Sequence, residues 1–365
     1  MKKLSWLGAP LTVASGLVLI LVSQRHPGFA AWYSAYFFPV FPRAVGRFFG
    51  VFPFSVFEVL LVLVVLRILA GVGWTAVSLG NAYGRAKLLA RAKVMPLRLM
   101  YTVSVVFLVF VLTAGINYNR ESYADRIGIT VQGSYADELV RLYLLLVERA
   151  TLLSGQIETD ADGYFALRRD GLYEHARQSM RDLNALYGGL GYSFPRAKAP
   201  MMSRLLLSNM NISGFFSPWT MEANYNGDIP GQSIPFVINH ELAHVAGHMR
   251  EDEANFIAYL ASRNSSNADF KYSATYTALV YTLNAMRRAV NAERYAELFG
   301  LLPDQIVRDF AFARRYWQAF EGRPAEMATR ANDAYLRMNQ QEDGVQSYGR
   351  MVDLMLAYYR ELEKI

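Results

Sequence analysis

The stretch Ile238–Phe256, INHELAHVAGHMREDEANF, holds three of the chain's five histidines within nine residues and runs straight into a group of carboxylates. At about 100° per residue, Ile238, Leu242 and Val245 share one stripe of a helix. His240 and His244 lie on nearly the opposite side, one turn apart, where both imidazoles can reach one ion, as the H-E-x-x-H spacing requires. Glu241 then points toward the open coordination position as the general base for metal-assisted hydrolysis of an amide bond, with Zn2+ as the expected metal. Pro235 suits the first turn of such a helix, since its missing amide hydrogen would be unsatisfied there anyway. The uncharged or apolar neighbours Ile238, Asn239, Leu242, Ala243 and Val245 suit a buried active-site helix better than a solvated polar one.

A catalytic zinc takes three protein ligands and keeps one position open. Gly247 stands where the metzincin pattern H-E-x-x-H-x-x-G-x-x-H has its glycine, but the final position is Arg250, which cannot bind a cation. His248 could ligate only through an unusual turn. Glu251, Ala254 and Asn255 resemble the E-x-x-A-[ND] signature of the gluzincin-like peptidases. That resemblance implies that Glu251 is the third ligand, on a helix that follows the first after a break at Gly247. Asn255 shares a face with Glu251 and would orient a ligand from behind it; Glu253 is the second choice. The bland alternative is that these acids merely complement a helix N-terminus. For a donor to the oxyanion the chain offers Tyr348, in the glycine-flanked GVQSYGR, although packing is the commoner role for such a tyrosine.

The composition mixes two populations, 53% hydrophobic residues with 19% charged, and the apolar excess sits in the first third. Leu4–Val22, Phe54–Val77 and Leu99–Ile116 are each about the length that crosses roughly 30 Å of hydrocarbon as a helix. The first could be a cleaved signal peptide ahead of HPGFAA, but it is long for one and further spans follow, so an anchor is the better reading. Between the second and third runs lie Arg85, Lys87, Arg91, Lys93 and Arg98 with no acid among them. A loop of that charge belongs on the cytoplasmic side, with Lys2 and Lys3, which leaves the chain beyond Ile116 on the extracytoplasmic side. Within the second run, Glu58 is expected at the outer interface and Arg67 to snorkel inward. The aromatic AAWYSAYFFPVFP before it suits a membrane interface.

With no cysteine, disulfides, thiolate ligands and cysteine nucleophiles are excluded together. The net charge of +6 is explained in part by the basic loop, and no basic block or basic-aromatic groove suggests nucleic acid.

Beyond Asn117, three- and four-residue apolar spacing predicts helices over Tyr135–Leu153, Gly171–Gly191, Ala199–Met210 and Tyr272–Phe299, others starting near Pro303 and Pro324, and a last one through GRMVDLMLAYYREL. Thr220–Asn226 alternates and reads as a strand, one that could hold an extended substrate at its edge.

The chain also resembles an uncharacterised bacterial membrane protein family, domain of unknown function 3810. The resemblance rests on the three spans, FPFSVFE, GFFSPWTMEAN, HELAH with REDEANFIAYL, and DGVQSYGRMVDLMLAYYRE. It implies a membrane-tethered zincin-like domain and carries no substrate.

The expectation is therefore a mainly α protein: a membrane anchor of three transmembrane helices over residues 1–116, then a zincin-like, mostly helical extracytoplasmic domain over 117–365 with a small sheet or edge strand. His240, His244 and Glu251 would hold Zn2+, with Glu241 and Tyr348 catalytic. The expected activity is that of a zinc endopeptidase in the cytoplasmic membrane, acting on an envelope or secreted polypeptide. The rivals are a non-catalytic binding or assembly protein on the same scaffold, and a cell-wall amide hydrolase.

Overall fold

The computed structural model describes residues 7–133, 136–191 and 193–362. Lys2, Lys3, the start of the first apolar run and Tyr135 lie outside them. Among the described residues, three helices are long and apolar enough to cross a membrane: α1 (Gly8–Arg25), α4 (Val56–Leu79) and α5 (Ala82–Thr113). Both α1 and α4 pack on α5, and their outer faces leave Leu17, Leu61, Val65 and Leu69 exposed, as a lipid-facing surface requires. Between α1 and α4 the aromatic stretch folds into the short helices α2 (Pro27–Trp32) and α3 (Arg47–Gly50) with π-helical turns between them. Tyr33 donates to the Leu112 carbonyl (2.5 Å) and Ser34 to Asn117 Oδ1 (2.8 Å), which fastens this segment to the end of α5.

The basic loop expected between the second and third runs is instead helix. Only Gly80 and Asn81 turn the chain; Asn81 caps the new helix by accepting from Gly84 N–H (2.7 Å), and α5 then runs unbroken through Pro96. Good helix formers fill AYGRAKLLARAKVM, so nothing local stops the helix there. Arg91 lies over the Trp74 ring at 4.0 Å, and Arg85, Lys87 and Lys93 are exposed on the same half of α5, with Arg98 exposed at its middle. Trp74 lies about 27 Å along α4 from Val56, close to the thickness of a hydrocarbon core.

At the other end of the bundle α4 is locked to the rest of the chain by two carboxylates. Ser55 caps α4 through Glu58 N–H, and the buried Glu58 carboxylate accepts from Met201 N–H (2.9 Å) and Met202 N–H (2.8 Å). Glu222 accepts from Val56 N–H (3.0 Å) and Phe57 N–H (2.9 Å), the orphan donors of the α4 N-terminus, and pairs with the fully buried Lys198. Lys198 also donates to the Phe49 carbonyl (2.7 Å). Arg67 is exposed on α4, and its guanidinium lies beside Gly71, one turn toward the far end.

The remaining chain is helical around one core: α6 (Tyr123–Ile127), α7 (Ala136–Ser154), α8 (Leu172–Tyr187), α9 (Ile234–Val245), α10 (Glu251–Arg263), α11 (Ala268–Ala289), α12 (Ala292–Phe299), α13 (Asp304–Gln318), α14 (Arg323–Met338) and α15 (Met351–Glu361). Helix α9 lies at the centre, packed against α8, α10 and α11. Two expected helices differ. Ala199–Met210 holds only a π-helical turn (Ser203–Leu207) and a 3-10 turn (Ser208–Met210); Glu58 takes the amides of Met201 and Met202, and Asn209 caps the Arg204 and Leu205 carbonyls. Tyr272–Phe299 breaks at Val290, where Asn291 caps a second helix through Arg294 N–H (2.8 Å).

The sheet is one antiparallel hairpin of β1 (Gly214–Ser217) and β2 (Glu222–Tyr225). Strand β2, expected at an edge, is paired on both sides: Lys198 N–H bonds Ala223 O and Tyr225 N–H bonds Lys198 O, each at 2.9 Å. The free edge is therefore β1. Ala223 and Tyr225 turn their backbone groups outward to Lys198, so their register partners Phe216 and Gly214 turn theirs away from β2.

Candidate metal centre

All twelve residues of α9 are buried, and four of them are polar, so each polar group needs a partner. Asn239 donates to Ser179 (3.0 Å) and Ser262 (2.8 Å), which ties α9 to α8 and α10. His244 Nδ1 meets the His248 carbonyl at 2.7 Å, and His240 Nδ1 meets Asn255 Oδ1 at 2.8 Å. A carbonyl accepts only, so His244 carries its proton on Nδ1. The Asn255 amide is oriented in turn, because its Nδ2 donates to the Tyr348 carbonyl (3.1 Å) and to Tyr281 (3.3 Å). Its oxygen therefore faces His240, which must also carry its proton on Nδ1.

With Nδ1 protonated on both rings, both Nε2 atoms face the cluster, 3.1 Å apart. Glu251 Oε2 adds a third acceptor, 3.1 Å from His240 Nε2 and 3.6 Å from His244 Nε2, and it accepts no aligned hydrogen bond. Ligands about 2.0–2.1 Å from one tetrahedral ion lie about 3.3 Å from one another, so the three spacings match one face of such an ion. Three ligand atoms this close together need a positive charge between them, a proton on His244 or a metal ion, and the His-His-Glu cluster is compatible with a metal site. Burial opposes charge on His244, yet the Glu251 carboxylate outweighs it and raises that imidazole to about 9. Burial pulls His240 down. On Glu251 burial is outweighed by the two histidines, which hold its carboxyl below the usual range.

The corner between α9 and α10 sets this convergence. Gly247 takes φ +88°, and a Cβ there would come within 2.7 Å of the Phe38 ring and 3.1 Å of Arg120 Nη1. Bonds from Gly247 N–H to His244 O and from His248 N–H to Ala243 O close the first helix. Glu251 opens the second, with its own N–H given to Gln341 (3.0 Å).

Glu241 lies beside the cluster with Oε2 buried and without a partner. Burial pushes its carboxyl up to about 8. It fits there because residue 214 is glycine: a Cβ on Gly214 would stand 2.5 Å from Glu241 Oε1. Glu241, both histidines and Glu251 open onto a cleft of about 300 Å³ that Tyr348, Tyr335 and Tyr118 also line. Tyr348 stacks on the His240 ring (centroids 6.3 Å apart, 22° between planes) and also borders a second cavity of about 370 Å³, lined by Phe236, Tyr276, Val280 and Trp317.

His248 and Glu253 stand apart from the cluster. His248 Nδ1 faces Glu253 (3.4 Å) and Nε2 faces the Gly189 carbonyl (3.3 Å), with the Tyr123 ring edge-on; burial and Arg120 lower its imidazole to about 4. Glu253 is taken up by Arg250 and by Tyr123 N–H (3.1 Å). Gly214, Tyr118 and Tyr335 are the site residues that sequence reasoning missed. Each comes from a separate element and lies outside any spaced motif.

No curated protein and no solved structure matches the chain. A family model matches residues 33–356, from the aromatic segment through the second and third spans and the histidine helices into α15. By that match the chain belongs to a family of proteins of unknown function, DUF3810.

Proposed function

We propose that the protein is a membrane-anchored zinc peptidase. The observation that carries this reading is the set of three buried acceptors, His240 Nε2, His244 Nε2 and Glu251 Oε2, with the unpartnered Glu241 carboxylate beside them in one cleft. His240, His244 and Glu251 would hold the ion. Zinc, when bound, supplies Lewis acidity toward a scissile carbonyl and lowers the pKa of water to about 7.

The chain's own residues do the rest. Glu241 takes a proton from the attacking water as the new carbon–oxygen bond forms, then delivers it to the amide nitrogen as the carbon–nitrogen bond breaks. Tyr348 gives its hydroxyl hydrogen bond to the developing oxyanion. The outward backbone groups of Gly214 and Phe216 pair with an extended substrate along the β1 edge. The cavity beyond His240 accepts a large apolar side chain next to the scissile bond. Four basic residues in the half of α5 remote from this cleft, Arg85, Lys87, Arg91 and Lys93, support a cytoplasmic side for that half and an extracytoplasmic side for the cleft, where envelope or secreted polypeptides would be the substrates.

The test is a pair of measurements on the purified full chain. Wild type should bind zinc and cut a randomised quenched octapeptide. Glu241→Gln should keep the metal and lose cleavage by at least a hundredfold, in line with the loss of a general base. Undiminished cleavage by Glu241→Gln would refute its role.

A further inference from the structure

The cleft that holds the candidate metal ligands is built partly from a membrane span. Phe110 and Ala114, in and just after the last turn of α5, line it together with Glu241 and Glu251. Apart from the two histidines and these two acids, its lining carries no ionisable group other than tyrosine. Against α5, the β1–β2 turn reaches down the bundle. Trp219 donates from Nε1 to the Val106 carbonyl (3.3 Å) and stacks on Phe57 of α4 (5.8 Å, 9°). Val106 lies about 10 Å below the end of α5, so the wall of the cleft descends to the depth of the apolar spans.

Val103, Val106, Phe110 and Ala114 follow one another at three- and four-residue intervals on one face of α5. Val103 and Val106 are exposed, Phe110 is half-buried, and Ala114 is buried in the cleft. Apolar side chains therefore step along α5 from the exposed Val103 and Val106 to Phe110 and Ala114 in the wall of the cleft. A free hydrophilic peptide has no use for such a track, and burying its polar backbone against it would be unfavourable. A polypeptide already anchored in the same bilayer has its apolar segment at that depth.

We infer that the substrate is a membrane-anchored polypeptide, cut within a few residues of the apolar segment that holds it in the bilayer, with that segment lying along Val103, Val106 and Phe110 of α5. This rests on the peptidase reading and names its substrate class.

The experiment uses the full chain, loaded with zinc, in phosphatidylcholine nanodiscs. Three reporters carry the same randomised octapeptide between fluorophore and quencher: one fused directly to a twenty-residue Leu/Ala helix, one fused through a twelve-residue Gly/Ser spacer, and one free. The two anchored reporters have the same density in the disc, so their comparison removes the gain from confinement alone. The direct fusion should be cut at least tenfold faster than the spaced one. Equal rates, or faster cleavage of the spaced or free reporter, overturn the inference and leave the peptidase reading standing. If no reporter is cut, the hydrolytic reading fails and photocrosslinking decides the docking alone. With benzoylphenylalanine in place of Val103 in the Glu241→Gln chain, labelling of the Leu/Ala helix upholds the docking, and its absence overturns it.

Discussion

Asn255 decides which nitrogen of His240 faces the cleft. Its amide is held by the Tyr348 carbonyl, and its oxygen fixes the His240 proton on Nδ1. Asn255→Ala removes that restraint and should weaken zinc binding by about 10–100-fold while leaving the helical content unchanged. Competition with a chromogenic chelator reads the affinity, and circular dichroism reads the fold. Gly214 acts on Glu241, the proposed base. Gly214→Ala forces a Cβ to within 2.5 Å of Glu241 Oε1 and 2.7 Å of Val237 Cγ1, so the carboxylate must move. The expected result is a drop in kcat of tenfold or more with zinc content unchanged, because misplacing a reacting group by about 1 Å costs on the order of 100-fold. At this scale the sequence was informative where function runs along a helix. The spacing of His240, His244, Glu251 and Asn255 is local and periodic, and the structure brings all four together. Gly214, Tyr118 and Tyr335 reach the cleft from distant segments, and no spacing in the chain announces them.

Among the elements, the α9–α10 corner depends on Gly247. A side chain there costs about 1–2 kcal/mol for the left-handed backbone alone, and it also meets Phe38. Gly247→Ala should therefore lower both thermal stability and zinc affinity, since Glu251 follows the corner directly; a normal affinity would show that the second helix is placed by other contacts. The Lys198–Glu222 pair joins β2 to the α4 N-terminus, and both side chains are buried. Glu222→Gln leaves the ammonium unpaired and should cost about 3–5 kcal/mol, read as a lower melting temperature in detergent. Lys198→Met with Glu222→Gln should recover part of that loss. Helix existence was mostly legible from apolar period, with Ala199–Met210 the exception, and boundaries were less so. The break at Val290 depends on an asparagine cap inside a continuous apolar pattern, and the edge role passed from β2 to β1 because Lys198, about two dozen residues earlier, pairs with β2. The basic half of α5 reads as a loop by charge but is helix by composition, and composition prevails.

For the whole molecule, three apolar helices and one buried helical core are joined at the end where the candidate metal ligands lie. The mainly helical class with a small sheet was legible because long uncharged apolar runs and the amphipathic period of the other helices are both strong local signals. The way the spans line the cleft was not, since no pattern in α5 distinguishes Phe110 from its lipid-facing neighbours. A bound ion stabilises the folded state by RT ln(1 + [L]/Kd), about 4 kcal/mol at a thousandfold excess over Kd. Chelation should accordingly lower the melting temperature of the wild type and leave that of Glu251→Ala nearly unchanged, because that variant has already lost a ligand.

The most direct measurement is zinc-edge X-ray absorption on the purified full chain, with metal content determined on the same sample. The account predicts about one zinc per chain, two imidazole nitrogens and one carboxylate in its shell, with one position left to a water oxygen. A chain that holds no zinc, or one whose zinc is bound by three imidazoles including His248, would contradict it.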